Sequence, residues 1–434
     1  MKGRYGLFTA VAMITGVVIG SGIFFKSDDI LILTKGSVPL GVLVFCLAAV
    51  SIIFGSLSIA RLAAQSDGRG GVIAYAGQWY GAGIAGAFGW FHTFLYYPTL
   101  IAIVSWVAAY YLLSLLELPN TLMLQSVFTL VIAAATLLLN LFSPYLGGLF
   151  QNASTILKLA PLFFIGVAGV FAGTSQSVWQ SIPGAYGDNP VSWLAAVAPV
   201  AFAFDGWIVA TSLGPEIRNS RRTLPLALTA APLLILASYL LYFVGICTLV
   251  GPQQIMEMGD GHVAFAAQQL LGPWGGKALM FLVLISVLGT VNGLCMGLLR
   301  MPAALADKKL LPAALLQGSK AHTCVPLRCG LLCLASVLGW LAIHVMIVWQ
   351  GLLPQSDISE ISIVVNYGGY LLLYVAAIRA TGKWLIPALA MVGSLVILAG
   401  GAQNPFFLWF LLLCAIPVGG GLWYGRTHAK NVHF

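Results

Sequence analysis

The chain is built from apolar runs of about 20 residues, long enough to cross a bilayer's hydrocarbon as helices, and they recur from end to end. Twelve candidate spans lie near 6–34, 38–63, 81–114, 121–142, 149–173, 191–215, 224–250, 273–305, 329–350, 358–378, 384–401 and 405–424. Only 7% of the 434 residues are charged, 60% are hydrophobic and the mean hydropathy is +0.97, whereas soluble domains carry roughly 25% charge. Nothing repeats the alternating pattern of an outer-membrane barrel, so the fold class is an all-α integral membrane protein. The apolar run that starts near Met1 continues past the length of a cleavable leader, and no small-residue cleavage site with a soluble domain follows, so the segment is expected to stay.

Charge sets an expected orientation. With the N-terminus in the cytoplasm, that side carries Lys2, Arg4, Arg61, Arg69, Arg218, Arg221, Arg222, Arg300, Lys308, Lys309, Lys320, Arg328, Arg379, Lys383, Arg426 and Lys430. Those are sixteen of the twenty basic residues, and only Lys26, Lys35 and Lys277 fall on the other side. The bias predicts an even number of spans with both termini cytoplasmic. The net charge of +8 is therefore a topology signal, which leaves a nucleic-acid partner without support.

The seven cysteines, at 46, 247, 295, 324, 329, 333 and 414, lie mostly in apolar spans and form no CxxC pair. They read as small buried hydrophobes. The group His322, Cys324, Cys329 and Cys333 has no recognised zinc spacing. Neither a metal nor another cofactor is expected.

Two spans are interrupted at their middles, the first by "GSGIF" (20–24) and the sixth by "FAFDGW" (202–207). The spans before residue 380 then divide into two sets of five, each opening with a broken helix, which points to an inverted-repeat transporter with its site at the midplane. The implied division is a core over 1–380, with repeats at about 1–175 and 190–380, and an appendage of two spans and a short tail over 381–434. The stretch "SDGRGGVIAYAGQWYG" before span three reads as a short interfacial helix, and "GPQQIMEMGDGHVAFAAQQLLG" after span seven as a loop carrying a short amphipathic helix that can act as a lid.

Gly16 and Gly20 fit a GxxxG packing motif, but Gly20-Ser21-Gly22 also lowers the cost of leaving the helix. An unwound turn there exposes the amides of Ser21, Gly22 and Ile23, which suit a carboxylate, and the carbonyls of Val18 and Ile19, which suit an ammonium. Together they form a receptor for a free α-amino acid. In the sixth span, Asp205 either caps a helix fragment through a backbone amide or takes a direct part in binding. Phe202 and Trp207 flank that break, as packing or as a gate.

Lys158, inside span five, is either a boundary lysine reaching the cytoplasm or a buried cation bonded to the exposed carbonyls of the broken first span. In the second case it stands where a sodium ion would otherwise sit, and loss of its proton would allow proton coupling. Ser286, Gly289, Thr290 and Asn292 in span eight suit helix-to-helix hydrogen bonding as well as a ligand role. His92 and His344 read as satisfied buried residues. Glu216 with Arg218, Arg221 and Arg222 reads as an interfacial charge cluster or an ion-pair gate.

GSGIF in the first span, FAFDGW in the sixth with Glu216 and "RRTLP" after it, and "GTVNGLCMGLLRMPAALADKKLLP" in the eighth resemble the amino acid, polyamine and organocation (APC) superfamily. Within it, the L-amino acid transporter branch and its bacterial relatives are most similar. The resemblance implies a twelve-helix protein with a five-plus-five inverted repeat of the leucine-transporter type, broken helices 1 and 6, and sodium-independent amino acid transport. By motif match the substrate carboxylate meets the amides of Ser21, Gly22 and Ile23 and the Ser21 hydroxyl. The ammonium meets the carbonyls of Val18, Phe202 and Asp205, with Ala203 in the same substrate-binding set. Phe202 matches the aromatic that closes over substrate, Lys158 the lysine that replaces sodium, and Ser286 a small polar residue near it. The chain departs from the branch at Asn219-Ser220, where Asn-Pro is common, and at 306–309, where the branch has ARDG.

Animal members pair with a glycoprotein through a cysteine in the loop between spans three and four. That loop, "LELPNT", has none here, so no disulfide-linked heavy chain is expected. The expected protein is a stand-alone multi-pass carrier of the bacterial inner membrane for neutral amino acids, working as an exchanger, with proton-coupled uptake as the alternative. HExxH is missing and no Ser-His-Asp set is assignable, which disfavours a membrane-embedded enzyme; the single-copy breaks disfavour a channel.

Overall fold

The computed structural model describes residues 6–20, 22–63, 71–173, 178, 192–207, 219–317, 325–353 and 357–429. Every regular element among them is helical. The first span is three pieces, α1 (Leu7–Val18), α2 (Gly22–Phe25) and α3 (Ser27–Leu33), and α4 (Val38–Ala63) follows. α5 (Gly71–Phe91) runs through a π-helical segment, His92–Tyr96, into α6 (Tyr97–Leu115). α7 (Leu122–Phe142), α8 (Pro144–Leu157) and α9 (Leu159–Ala172) come next. A 3-10 turn at Ser192–Ala196 leads into α10 (Val197–Ala203), and α11 (Ser220–Val250) and α12 (Pro252–Met258) precede the long α13 (His262–Asp307). α14 (Leu327–Gln350), α15 (Ile358–Thr381), α16 (Leu385–Gly401) and α17 (Phe407–His428) complete the chain.

Among the described residues, eight helical stretches are long and apolar enough to cross a membrane: Val38–Ala63, Gly71–Leu115, Leu122–Phe142, Pro225–Val250, Pro252–Asp307, Leu327–Gln350, Ile358–Thr381 and Phe407–His428. Leu159–Ala172, Ser192–Ala203 and Leu385–Gly401 are shorter apolar helices. The interruptions have local causes. Gly81 sits at φ 80°, a left-handed conformation that bends the chain after a short helical segment, where the sequence predicts an interfacial helix. α13 bends in the same way at Gly272, so the region after Val250 holds α12, a 3-10 turn at Gly259–Gly261 and the start of α13 rather than one short helix.

Glycines allow the helices to approach at backbone distance. A Cβ on Gly169 of α9 would lie 2.0 Å from the Gly245 carbonyl oxygen of α11, and one on Gly421 of α17 would lie 2.3 Å from that of Gly86 in α5. In a bilayer, where helix contact is not driven by exclusion of water, such seams supply dispersion in place of the hydrophobic effect. Trp274, Trp349, Trp409 and Trp423 stay exposed, with many leucines, as expected of a surface that meets lipid.

Candidate substrate site

The first break is where the sequence puts it. α1 ends at Val18; the Ile19 amide still bonds the Thr15 carbonyl at 2.8 Å, but Ile19 itself turns to an extended ψ of 102°. Helix resumes at Gly22, which leaves the Gly22 and Ile23 amides in the first turn of a new helix without intrahelical acceptors. Ser21 lies outside the described residues. The second break follows α10, where Phe204, Asp205 and Gly206 form a turn and Gly206 takes φ 96°. Residues 208–218, with Glu216 and Arg218, also lie outside the described residues.

The two breaks meet. A Cβ on Gly22 would fall 2.8 Å from the Ala203 Cα and 3.0 Å from Phe202 Cδ1. Only glycine admits that approach, which is a second reason for this residue beside helix unwinding. Gly20 lies equally close to α13, since its Cβ would be 2.6 Å from Thr290 Oγ1.

The carbonyls freed where α1 stops are taken up by side chains of other helices. The Lys158 ammonium donates to the Gly16 carbonyl. Lys158 sits at the junction of α8 and α9, a small interruption of span five that the sequence does not predict, and it is 1% exposed. It is therefore a buried cation bonded to the broken span, not a lysine reaching solvent. The Tyr239 hydroxyl of α11 lies 2.7 Å from the Ala203 carbonyl and 3.3 Å from the Val18 carbonyl, one donor shared by the ends of α10 and α1. The Phe202 carbonyl accepts the Asp205 amide at 3.0 Å.

The Asp205 carboxylate accepts from the Tyr96 hydroxyl. Tyr96 ends the π-helical segment just before Pro98, and the widened turn there changes the angle at which the side chain leaves the helix. Phe202 packs edge-on against Phe25 with ring centroids 5.4 Å apart, and Trp207 against Tyr370 at the same separation. Ser286 is fully buried on α13, and its hydroxyl has no partner among the described residues. Asn292 serves the scaffold: it accepts from Asn140 at 2.7 Å and donates to the Gly147 carbonyl and to Gln151, both at 3.0 Å.

Of the lone histidines, His92 is satisfied by the Phe88 carbonyl at 2.7 Å, as expected. His344 is not, because both ring nitrogens are buried without a hydrogen-bond partner among the described residues while the ring packs on Trp106. Sequence reasoning missed Tyr239 and Tyr96. Neither stands out in a chain with 15 tyrosines; Pro98 after the Tyr pair was the available hint for Tyr96.

The sequence profile of a family described as amino acid permease matches residues 5–342. The serine/threonine exchanger SteT of Bacillus subtilis (strain 168) is 26% identical over 99% of this chain and 98% of its own length. The human Asc-type amino acid transporter 1 is 28% identical over 77% of this chain and 64% of its own length. The human b(0,+)-type amino acid transporter 1 is 28% identical over 68% and 61%. This chain thus spans somewhat under two thirds of those human relatives.

Proposed function

This chain belongs to the amino acid permease family, and on that premise we propose that it exchanges neutral L-amino acids across a bacterial inner membrane by alternating access, without sodium. The observation that carries the reading is the contact of the two helix breaks at Gly22 and Ala203, which brings the amides at the start of α2 beside the carbonyls at the end of α10. A zwitterion needs both. The carboxylate is assigned to the amides of Ser21, Gly22 and Ile23 and the Ser21 hydroxyl, and the ammonium to the carbonyls of Val18, Ile19, Phe202, Ala203 and Asp205. Phe202 is the gate. Full-length similarity to an exchanger from a bacterium supports the transport mode and the membrane, and no heavy chain is required in this reading.

In the same reading the chain crosses the membrane twelve times with both termini cytoplasmic, the two shorter apolar helices α9 and α16 and the α10 segment included. Residues 1–380 form two inverted five-helix repeats, about 1–175 and 190–380, and 381–434 hold the two appended spans and the tail. A transporter rather than a membrane enzyme follows from the family.

Lys158 decides the energetics. Its ammonium bonds the Gly16 carbonyl and, with Ser286, occupies the region where a driving cation would sit. A fixed charge there suits exchange. A second reading, proton-coupled uptake with Lys158 as the titrating group, is favoured by its burial without a carboxylate partner in contact among the described residues. Uptake of labelled alanine, serine and leucine into proteoliposomes separates the two. Uptake that requires unlabelled amino acid inside supports exchange, and uptake into empty vesicles driven by an inward proton gradient overturns it.

A further inference from the structure

Trp340 reaches from α14, a helix with few buried residues, to the middle of the third span. Its indole Nε1–H donates to the Phe94 carbonyl at 2.7 Å. Phe94 lies within the π-helical segment His92–Tyr96, and the sequence explains why its carbonyl takes a donor from another helix. Pro98, four residues on, has no amide hydrogen to give it. The Tyr97 amide reaches back five residues, to the His92 carbonyl, so the turn is wider than an α-helical one. A neighbouring helix thus supplies the donor that proline withholds.

The widened turn is pinned on both sides. After it, the Thr99 hydroxyl donates to the Tyr96 carbonyl at 3.0 Å and lies 3.0 Å from the Ser362 hydroxyl of α15. Before it, the Trp90 indole donates to the Leu310 carbonyl at 2.8 Å, and its ring packs on Phe94 with centroids 5.3 Å apart. Tyr96 is the last residue of the segment, and its hydroxyl donates to the Asp205 carboxylate in the second break. Were the turn to close to an α-helical one, the residues after it would rotate by up to about 100°, one residue of helical register. Tyr96 would then turn away from Asp205.

We propose that Trp340 is a positioning residue of the substrate site. Its indole holds the Phe94 carbonyl outside the helical ladder and so keeps the π-helical turn open. The open turn aims the Tyr96 hydroxyl at Asp205, and that bond fixes the turn whose carbonyls receive the substrate ammonium. The site is thereby set from α14, which supplies no group to either break among the described residues. In hydrocarbon a carbonyl that loses its donor finds no water to replace it, so the indole N–H is the active part of the side chain. The proposal rests on the transporter reading of the site.

The test reads serine binding to the purified protein rather than exchange, so its failure is distinct from failure of the exchange reading. Tm is measured without substrate and along a serine titration, which gives stability and the half-saturating concentration from one sample. Trp340→Phe is expected to raise half-saturating serine about five- to tenfold, the scale of one lost hydrogen bond, and Tyr96→Phe to do the same. Combined, the two are expected to do no more than Tyr96→Phe alone, because the indole acts through that hydroxyl. Pro98→Ala gives the Phe94 carbonyl an amide within its own helix. Added to Trp340→Phe, it is expected to return Tm to that of the parent and to leave half-saturation raised, since the segment then closes to an α-helical turn. Unchanged half-saturation in Trp340→Phe overturns the proposal. So do effects of Trp340→Phe and Tyr96→Phe that multiply, or a recovery of affinity together with Tm on adding Pro98→Ala. Should Trp340→Phe not fold, Pro98→Ala alone is expected to raise half-saturating serine, and a value equal to the parent's overturns the proposal.

Discussion

Gly22 and Ala203 are in backbone contact across two helix breaks that lie 181 positions apart in sequence, with the Phe202 ring closing one side. The contact places a helix start against a helix end, so an amide-rich and a carbonyl-rich edge share one small space. A side chain at residue 22 would separate them.

Gly22→Ala tests that contact. Its methyl would have to displace the Ala203 backbone, and overpacking of this kind costs about 1–3 kcal/mol. The expected result is loss of exchange by about tenfold or more for every amino acid carried, with normal abundance in the membrane. Gly6→Ala, where open space receives the methyl, is the matched control and is expected to exchange normally. Equal activity of Gly22→Ala and Gly6→Ala in proteoliposomes would remove the breaks from the site.

The broken spans were legible in the sequence because glycine, serine and aspartate at the middle of an apolar run have few other uses in hydrocarbon. Lys158 was legible for the same reason: a charge in an apolar span needs a partner, and the freed carbonyls of the first span are the nearest unmet acceptors. Tyr239 was not, because a tyrosine among apolar residues carries no mark of which carbonyl its hydroxyl will reach. The grouping of Lys26 with Asp357 and Glu360 was equally hidden. All three sit near the ends of spans, where charge is ordinary, and only the folded chain brings the residue between α2 and α3 to the start of α15. Sequence shows which groups need partners, and tertiary structure shows which partners they take.

Lys158→Met retains much of the side-chain volume and deletes the donor to Gly16. A buried carbonyl without a partner costs about 1–3 kcal/mol, so α1 is expected to lose its fixed position against α8. Exchange should fall about tenfold or more, with the loss in maximal rate larger than in half-saturation, because the lysine holds the broken helix rather than the substrate. Initial rates over a range of external serine concentrations check the split. A pure rise in half-saturation would place Lys158 in contact with substrate instead.

Tyr239→Phe removes one hydroxyl shared by two carbonyls, Ala203 at 2.7 Å and Val18 at 3.3 Å. Both carbonyls belong to the set assigned to the substrate ammonium. The empty protein should therefore be destabilised by about 1 kcal/mol, while bound amino acid supplies the lost donor. The measurement is thermal unfolding of the purified protein with and without saturating substrate. A larger substrate-induced rise in Tm for Tyr239→Phe than for the parent is the expected outcome, and equal rises would separate this hydroxyl from the ammonium position.

α17 packs on the first half of the chain through α5. α17 meets α5 along a glycine seam in which a Cβ on Gly421 would lie 2.3 Å from the Gly86 carbonyl oxygen and one on Gly425 2.3 Å from that of Ala82. Among the described residues, neither α5 up to Phe91 nor α17 supplies a group to the breaks, so the seam bears on stability and not on recognition. Gly421→Val should force the helices apart at a cost of about 1–3 kcal/mol and lower the Tm of the purified protein. Half-saturation for exchange should stay within about twofold of the parent, since that seam makes no contact with Gly22 or Ala203. A change in half-saturation without a change in Tm would show instead that α17 reaches the site through α5, by way of the π-helical segment that carries Tyr96.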